Sequence, residues 1–416
     1  MEKIIKVLNA HPRLKSIHRP IYRQIKKNCE TFKKKEVNSS IQIVTNEKKV
    51  IYFDITSHSV TDIKTGIQRV VRKFLDYIVE MTGDEYDVIC ISGLNGYHAI
   101  DKDTYQSRND LMLTPKEGDI YLSIDSNPVQ PYEYWDTLSA WQQNGCKIIA
   151  CVYDLVYIKY PQYVAEQNAV VLLSRWLKHA TSNFDGLICI SKTVEDELTQ
   201  WIEENKIHNS KLKTGYFHLG GDFIGTSTSM KDSTSAFFNR MCRNKPLIFI
   251  AVATIEPRKG YIELVEAFEE LAKKGVDATL VIVGRVGWKY DEIVEKITCS
   301  NCYNKSVFWF SDCEDNVLEV LYQIADCYIS GSYYEGFGLG IIEASSKGLP
   351  VLLRDRPINR EVSENKGLYY KDVEALVNII EEIDKNNNAL LEQKKINSLS
   401  WKESVAMAWT TIQGMI

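Results

Sequence analysis

The sequence predicts an α/β protein built from two units, each a parallel β-sheet with helices on both faces. Short runs rich in Val and Ile alternate with longer amphipathic runs along most of the 416 residues, which is the pattern of such sheets. The alternation stops once, in a stretch dominated by Ser and Thr, GTSTSMKDSTSAFFNRMCRNK, and then restarts. A chain of this length is expected to form two or three domains, so we interpret the interruption as a linker.

The domain boundaries are placed around this interruption. The prediction is a basic amphipathic segment at residues 1–45, a first unit at 46–224, a linker at 225–245, a second unit at 246–398 and a closing helix at 399–416. The carboxyl ends of parallel strands bind ligands in such folds, and the cleft between two units is the expected place for a site.

Apolar runs mark the strands, and the amphipathic runs between them mark the helices. In the first unit the predicted strands are residues 49–55, 86–92, 119–125, 147–153 and 184–190, and the predicted helices are 66–81, 131–144, 162–181 and 193–204. In the second unit the predicted strands are residues 246–255, 278–284, 307–310, 326–332 and 350–355, and the predicted helices are 261–275, 290–297, 316–325, 339–348, 375–386 and 400–416.

The composition is that of an ordinary globular protein, with 44% hydrophobic and 25% charged residues. The net charge of −5 argues against a nucleic-acid binder. This charge is unevenly distributed, because residues 1–36 contain eleven Lys or Arg against three Glu, a net +8 that leaves −13 for the remainder.

Residues 1–36, the basic head, also carry apolar residues at three- and four-residue steps, as on an amphipathic helix. Such a helix can lie on an anionic membrane surface, with about 1 kcal/mol of attraction per basic residue. A solvated basic tail and a helix docked on the acidic body are the open alternatives. No apolar stretch approaches the ~20 residues of a membrane span, and Asn9, His11 and Arg13 interrupt any signal-peptide core. We therefore expect a cytoplasmic protein, with peripheral membrane association through the basic head as one alternative.

The sequence does not predict a metal site. Cys299 and Cys302 form a local pair with Cys313 beyond it, but no His lies nearby to complete a zinc site. The D-x-D sequence formed by Asp101 and Asp103 lies in a polar loop. The ten cysteines show no disulfide framework, so we expect free thiols in a reducing compartment.

The stretch GSYYEGFGLGIIEASSKGLP, residues 331–350, combines two glutamates with a glycine-rich loop. It follows a predicted strand and begins a predicted helix, so helix N–H groups and the positive end of the helix dipole face a ligand there. Glu335 precedes the helix and Glu343 lies inside it, and carboxylates accept hydrogen bonds from paired hydroxyls such as those of ribose and hexoses. A purely structural strand-to-helix turn remains an alternative. A dinucleotide fingerprint is disfavoured, because the spacing is G-x-G-x-G.

A second loop, TIEPRKG at residues 254–260, also lies between a predicted strand and a predicted helix. It places Arg258 and Lys259 at the carboxyl end of a strand, where two adjacent cations suit a diphosphate leaving group. A solvated charge pair on a loop is the alternative.

The motifs VATIEPRKGY, LVIVGRVGW, YQIADCYISGSYYEGFGLGIIEASSKGLPVL and INREV follow one another within residues 246–365. In this order they resemble glycosyltransferase family 4, and the first unit agrees through TGIQRVV, VYDLVYIKYPQY, CISKTVEDEL and YFHLGGDF. The resemblance implies the GT-B fold, in which two Rossmann-like domains face each other across a cleft and the last helix crosses back onto the first domain. It also implies a retaining enzyme of the branch that builds bacterial surface polysaccharides, often with mannose.

The resemblance further implies a role for each matching residue. The implied catalytic residues are Glu335, Arg258, Lys259 and Asp154, and the implied donor-binding residues are Gly66, Phe337, Gly338, Leu339, Glu343, Gly284 and Arg285. Arg258 and Lys259 would bind the diphosphate, and Glu343 the ribose. Many relatives have a His-Asp pair where this chain has Tyr153 and Asp154, which leaves the role of a histidine there in doubt.

The function implied is transfer of a hexose, mannose from GDP-mannose first, to a lipid-linked or growing glycan in O-antigen or capsule biosynthesis. No metal or other cofactor is expected, because the two cations can stabilise the leaving diphosphate. The open alternatives are a UDP- or dTDP-sugar donor, a phosphorylase or epimerase of the same fold, and a non-catalytic nucleotide-sugar-binding partner of a polysaccharide assembly complex.

Overall fold

The computed structural model describes residues 42–43, 48–60, 66–93, 96–109, 111–125, 132–164, 167–222, 246–386, 388–392 and 395–416. Within these residues two large β-sheets form the centres of two domains, called the N-domain and the C-domain below. The basic head and the predicted linker lie outside the described residues, so the predicted domain boundaries remain predictions.

The N-domain sheet has the strand order β4-β3-β2-β6-β7-β8-β9 in the described part of the chain. These strands are β2 (Lys49–Asp54), β3 (Tyr86–Ser92), β4 (His98–Ala99), β6 (Ile120–Ser123), β7 (Lys147–Val152), β8 (Gly186–Cys189) and β9 (Lys213–Tyr216). All neighbours pair in parallel except β4, which is antiparallel to β3. Two short strands, β1 (Gln42–Ile43) and β5 (Leu111–Met112), pair separately.

The C-domain sheet is parallel throughout, with the order β12-β11-β10-β13-β14-β15. Its strands are β10 (Leu247–Val252), β11 (Ala278–Val283), β12 (Val307–Phe310), β13 (Cys327–Ser330), β14 (Val351–Arg354) and β15 (Leu368–Tyr370). This is the strand order of a Rossmann fold.

Helices connect the strands and cover both sheets. They are α1 (Thr56–Val60), α2 (Gly66–Thr82), α3 (Tyr132–Gln143), α4 (Val156–Lys159), α5 (Gln167–Asn183), α6 (Lys192–Glu204), α7 (Tyr261–Lys273), α8 (Asp291–Thr298), α9 (Asp315–Ile324), α10 (Leu339–Ser346), α11 (Pro357–Val362), α12 (Val373–Lys385) and α13 (Trp401–Gln413). Short 3₁₀ turns lie at Pro161–Tyr163, Pro257–Lys259 and Ala389–Leu391.

The central strands are buried along nearly their whole length because helices cover both faces of each sheet. All six residues of β11 are buried, and five of the six in β2 are. Fully burying a Val, Ile or Leu side chain contributes about 1.5–3 kcal/mol, so these continuous runs favour the sheet interior over any exposed strand.

The last helix, α13, follows the C-domain in the chain but packs on the N-domain. Ser400 and Glu403 form a capping box at its start. The ring of Trp409 lies 5.4 Å from that of Tyr86, and the Thr411 hydroxyl donates a hydrogen bond to the Tyr216 carbonyl at 3.1 Å. The predicted GT-B architecture, including this crossing helix, is confirmed.

The predicted elements agree with the structure except at a few places. The helix predicted at residues 162–181 is a 3₁₀ turn, Pro161–Tyr163, followed by α5 from Gln167, because Pro161 begins the tighter turn. The prediction omitted the short elements β1, β4, β5, β9, β15, α1, α4 and α11, which gain their order from neighbouring elements. Among the described residues, no helix is long and apolar enough to cross a membrane.

Candidate active site

The C-domain sheet changes direction between two neighbouring strands, β10 and β13. The strands that follow β10 extend the sheet to one side, and those that follow β13 extend it to the other. The connections therefore diverge and leave a crevice at the carboxyl ends of these two strands, where open α/β sheets bind ligands. The loop after β10 carries Arg258 and Lys259, and the loop after β13 carries Glu335.

Glu335 lies at the centre of a buried cluster of charges in this crevice. Its carboxylate accepts hydrogen bonds from Lys259 Nζ at 2.5 Å, Arg258 Nη1 at 3.0 Å and Ser332 Oγ at 2.7 Å. Burial works to raise the pKa of Glu335, but the two cations and the hydrogen bonds outweigh burial and lower it to about 2. Glu335 is therefore ionised at neutral pH and joins the two loops.

The two cations are held by carboxylates on more than one side. Arg258 also forms an ion pair with Glu256 at 2.6 Å and donates to the Tyr334 carbonyl at 3.1 Å. Burial, together with Arg258, lowers the pKa of Lys259, and Glu335 opposes this effect. Among the described residues, the buried Nε of Arg258 has no hydrogen-bond partner. The cluster is thus a fixed arrangement of charges with one guanidinium donor unused.

The glycine loop is shaped by one turn and one close approach. Gly338 takes a φ of +95°, a left-handed conformation that favours glycine, and α10 begins directly after it. A Cβ on Gly336 would lie 2.0 Å from the carbonyl oxygen of Tyr153, so only glycine fits against the end of β7. The first N–H groups of α10 therefore lie at the crevice, as required of an anion-binding helix terminus.

Two hydrogen-bonding side chains fasten this loop to the N-domain. The buried Tyr334 hydroxyl accepts a hydrogen bond from the Leu155 N–H at 2.8 Å and donates one to Glu197 Oε2 at 2.7 Å. The Ser191 hydroxyl donates to the Gly336 carbonyl at 2.8 Å. Because Glu335 lies between Tyr334 and Gly336 in the chain, the N-domain positions it from both sides.

Asp154 faces the C-domain from the end of β7. Its Oδ1 accepts a hydrogen bond from the Val156 N–H at 3.1 Å. Burial raises the pKa of Asp154, and the nearby charge of Arg258 is the strongest opposing influence. Tyr153, which stands where the family resemblance implies a histidine, is buried and donates to the Ile124 carbonyl at 2.9 Å. Tyr153 therefore serves the N-domain core, and Asp154 is the member of this pair that reaches the cleft.

A cavity of about 210 Å³ opens between the domains beside Asp154 and Arg258. Apolar and aromatic side chains line most of it, among them Tyr157, Trp176 and Trp288. An apolar lining with a few charged groups at one end is typical of small-ligand sites. Arg258 therefore belongs both to the Glu335 cluster and to the lining of this cavity.

Glu343 lies in α10, separate from the Glu335 cluster. It is 8% exposed, and its Oε1 is paired with Arg69 of α2 in the N-domain. Its Oε2 accepts a hydrogen bond from the Tyr322 hydroxyl at 3.3 Å. At the start of α2, a Cβ on Gly66 would lie 3.4 Å from the Leu339 side chain, so α2 and α10 approach each other closely. The structure therefore brings Gly66, Leu339 and Glu343 together across the cleft.

The remaining predicted residues lie around this centre. Phe337 is buried, with its ring 5.5 Å from that of His218. The Gly284 N–H donates to the Phe310 carbonyl at 3.0 Å, at the end of β11. Arg285 forms an exposed ion pair with Asp312 at 2.8 Å and makes no described contact with the Glu335 cluster. A donor-binding role for Gly284 and Arg285 remains a prediction.

A second polar contact joins the domains through the INREV motif. Glu361 of α11 accepts hydrogen bonds from the N–H groups of Lys192 at 2.7 Å and Thr193 at 2.8 Å, at the start of α6. Its Oε1 lies 2.7 Å from Nε2 of His218. Burial opposes ionisation of Glu361, but these hydrogen bonds lower its pKa. A C-domain carboxylate thus caps an N-domain helix, as the helix dipole favours.

Sequence reasoning missed several residues of the site: Arg69, Glu256, Ser332, Tyr334 and Tyr322. Arg69 lies inside TGIQRVV, Glu256 inside TIEPRKG, and Ser332 and Tyr334 inside SYYEGFG, so each motif had been identified without these members. Their partners lie up to 274 positions away in the chain, and only the folded structure pairs them.

In the described ranges, no group of three or more His, Cys, Asp or Glu side chains could hold a metal ion. The Asp101 carboxylate instead accepts hydrogen bonds from the N–H groups of Asp103 at 3.1 Å and Thr104 at 2.8 Å, which closes a local turn. Cys302 is buried and Cys299 is exposed, both as free thiols.

Replacing Glu335 by Gln should destabilise the protein in a pH-dependent way. The folded-state pKa of about 2 lies below the ordinary value of 4.5, so the stabilisation is fully present above about pH 4.5 and is lost as the pH falls toward 2. The shift corresponds to about 3 kcal/mol at neutral pH. Urea unfolding of both proteins between pH 7 and pH 3 measures the difference.

The matched control is Glu270→Gln, at an exposed carboxylate paired with Lys273 on α7. This change should alter the free energy of unfolding by less than about 0.5 kcal/mol at every pH. A Glu335→Gln protein that is as stable as the wild type at pH 7, or equally destabilised at pH 7 and pH 3, would contradict the assignment of buried ion pairs.

Comparison with known proteins agrees with the folded arrangement. Residues 233–398 match the family model described as glycosyl transferases group 1. The serotype-specific mannosyltransferase WbdA of Escherichia coli is 32% identical over 377 residues, which cover 86% of this chain and 45% of WbdA. The O-antigen chain mannosyltransferase B of Escherichia coli is 30% identical over 128 residues, covering 30% of this chain and 33% of that protein. The matched part of the chain thus spans less than half the length of either relative.

Among solved structures, Anabaena Alr3699/HepE in complex with UDP-glucose superposes with a TM-score of 0.57 at 14% sequence identity. The match covers 87% of this chain and 99% of that chain, and at this identity it concerns the fold. These matches are consistent with the resemblance to glycosyltransferase family 4: residues 233–398 match a glycosyltransferase group 1 domain, and the chain has a two-domain GT-B fold.

Proposed function

We propose that the chain transfers a hexosyl group from a nucleoside diphosphate sugar to a growing or lipid-linked glycan of a bacterial surface polysaccharide. The main support is the gathering of Arg258, Lys259 and Glu335 where the C-domain sheet changes direction. The match to the group 1 glycosyltransferase model supports the reaction class. The names of two relatives, a serotype-specific mannosyltransferase and an O-antigen chain mannosyltransferase, support mannose and O-antigen. GDP-mannose is therefore our first candidate donor.

In this proposal Arg258, Lys259 and the N-terminus of α10 bind the donor diphosphate. Breaking the bond between the anomeric carbon and the phosphate oxygen places negative charge on the diphosphate and positive charge on the sugar ring. Cations and N–H groups that are already in place stabilise that charge without reorganising during the reaction. Glu335 and Glu256 hold the two cations in position before the donor binds.

The carboxylates have distinct proposed roles. Glu335 accepts hydrogen bonds from hydroxyls of the donor sugar, Glu343 accepts them from the ribose, and Asp154 faces the reacting centre from the N-domain. Glu335 is already committed to Lys259, Arg258 and Ser332, which disfavours it as a covalent nucleophile. We therefore propose that the configuration of the anomeric carbon is retained. The acceptor hydroxyl attacks that carbon from the same face as the leaving phosphate, and an oxygen of this phosphate accepts the hydroxyl proton. The two cations make a metal unnecessary in this scheme.

Ligand-induced thermal stabilisation tests the proposal first. Purified protein is heated with GDP, UDP, dTDP, ADP or CMP, with magnesium or with EDTA. We expect GDP to stabilise the protein in EDTA, by about 2.7 kcal/mol at a hundredfold excess over Kd. Stabilisation by UDP or dTDP instead would change the proposed donor but leave the proposed reaction class unchanged. No stabilisation by any nucleoside diphosphate, and no turnover of any donor, would contradict the proposal and favour a non-catalytic partner.

Replacing Lys259 by Ala should lower kcat much more than it raises KM. The amine is proposed to stabilise charge that develops only as the diphosphate leaves, so we expect a loss of roughly 10²–10³-fold in kcat. Steady-state kinetics of nucleoside diphosphate release measures both constants. Lys273→Ala, which removes an exposed cation from α7, should leave both constants unchanged. An unchanged kcat in Lys259→Ala would exclude the leaving-group role.

We also propose that the basic head binds anionic membrane surfaces and keeps the enzyme near a lipid-linked acceptor. The support is its charge of +8 together with its amphipathic spacing. The full chain should float with phosphatidylglycerol vesicles at low salt, and deleting residues 1–36 should abolish flotation while sparing activity on a soluble acceptor. Equal flotation with neutral vesicles, or flotation of the deleted protein, would refute this role.

A further inference from the structure

Arg69 crosses the cleft to a carboxylate of the proposed donor site. It lies one turn inside α2 of the N-domain and pairs with Oε1 of Glu343 in α10 of the C-domain. The side chain of Arg69 is 39% exposed and that of Glu343 is 11% exposed. The guanidinium is therefore at the solvent side of the cleft, while the carboxylate it contacts is mostly enclosed.

A buried carboxylate requires such a partner, because desolvation disfavours its charged form. The groups that face Glu343 are Arg69 from α2 and the phenols of Tyr322 and Tyr328 from α9 and β13. A carboxylate has about four lone-pair sites. One hydrogen bond from Arg69 and one from Tyr322 therefore leave each oxygen able to accept a further hydrogen bond from a hydroxyl. The pair with Arg69 is thus compatible with a diol bound at the same carboxylate.

The position of Arg69 is fixed by the core of the N-domain. Val70 and Phe74 of the same helix are completely buried, and Gly66 at its start lies against Leu339 of α10. A planar guanidinium on this anchored helix can hold one orientation of a carboxylate, which a flexible ammonium does less well.

We propose that Arg69 is a positioning residue for the nucleoside of the donor, which orients Glu343 from across the cleft so that its carboxylate receives the ribose hydroxyls. The inference rests on the proposed function, because it takes the ligand to be a nucleoside diphosphate. It adds a coupling between the domains: the ribose-binding carboxylate is complete only when α2 lies against α10. Donor affinity then depends on a residue of the N-domain, across the cleft from Arg258 and Lys259.

Comparing ribose with dideoxyribose ligands tests this role directly. Kd is measured by calorimetry for GDP and for 2′,3′-dideoxy-GDP with the wild type, Arg69→Ala, Arg69→Lys and Glu343→Gln. We expect the wild type to prefer GDP by at least roughly tenfold, because hydrogen bonds to a charged carboxylate are lost in the dideoxy ligand. In Arg69→Ala the preference should fall below about threefold through weaker GDP binding, with dideoxy-GDP unaffected, and Arg69→Lys should be intermediate.

The matched control is Lys73→Ala, which removes a cation from the same helix where it pairs with Asp76 at 3.6 Å. It should keep the preference of the wild type. Adding Glu343→Gln to Arg69→Ala should reduce the preference no further, since both changes act on one contact.

Three results would overturn the inference, each in a distinguishable way. An unchanged preference in Arg69→Ala, or an equal weakening of both ligands, would show that Arg69 does not act through the ribose hydroxyls. Equal binding of both ligands by the wild type would show that Glu343 does not bind the ribose hydroxyls, and Arg69 would then have no positioning role. If the wild type binds neither ligand, the same comparison is made with UDP and dideoxy-UDP, and failure of both pairs would refute the proposed function itself.

Discussion

The buried ion pairs of Glu335 are the interaction on which the site depends. Taking a carboxylate and two cations out of water costs several kcal/mol per ion, so each must be matched closely by the others. This requirement fixes the loop after β10 against the loop after β13, because Arg258 and Lys259 belong to one and Glu335 to the other. The crevice of the sheet and the charges within it are therefore a single arrangement. The same pairs explain how two cations can remain adjacent in a mostly buried place.

The interface between the domains passes through the same loop. Gly336 touches the carbonyl of Tyr153, and the phenol of Tyr334 joins the Leu155 N–H to Glu197. Each contact lies next to Glu335 in the chain, so the orientation of that carboxylate depends on the N-domain as well as on its own domain. Domain arrangement and site geometry are consequently linked through backbone contacts too close to allow a side chain at position 336. The close approach to the Tyr153 carbonyl therefore explains why residue 336 is a glycine, without any appeal to backbone flexibility.

The sequence was sufficient to place Glu335, Arg258 and Lys259, because each follows an apolar strand and precedes a helix, and parallel strands bring their carboxyl ends to one edge. It was insufficient for the pairing of Arg69 with Glu343, because these residues are 274 positions apart and meet only after both domains have formed. Local periodicity also could not place the start of α5 or the short strand β15, since neither has enough residues or a clear enough signal to be recognised alone. The pattern therefore predicts elements and the edge that binds ligands, whereas the pairing of side chains across the cleft requires the fold.

Several of the contacts between the domains near the cleft are polar, and this bears on how easily these contacts separate. Glu361 receives two N–H groups at the start of α6, Arg69 pairs with Glu343, and Tyr334 bridges two N-domain groups. Polar groups of this kind regain hydrogen bonds with water when separated, so breaking these contacts costs far less than exposing an apolar surface of the same area. The packing of α13 on the N-domain is apolar by contrast, with Trp409 and Ile412 buried. The apolar packing of α13 is therefore costlier to separate than the polar pairs at the cleft, because apolar surface loses its stabilisation when it is exposed to water.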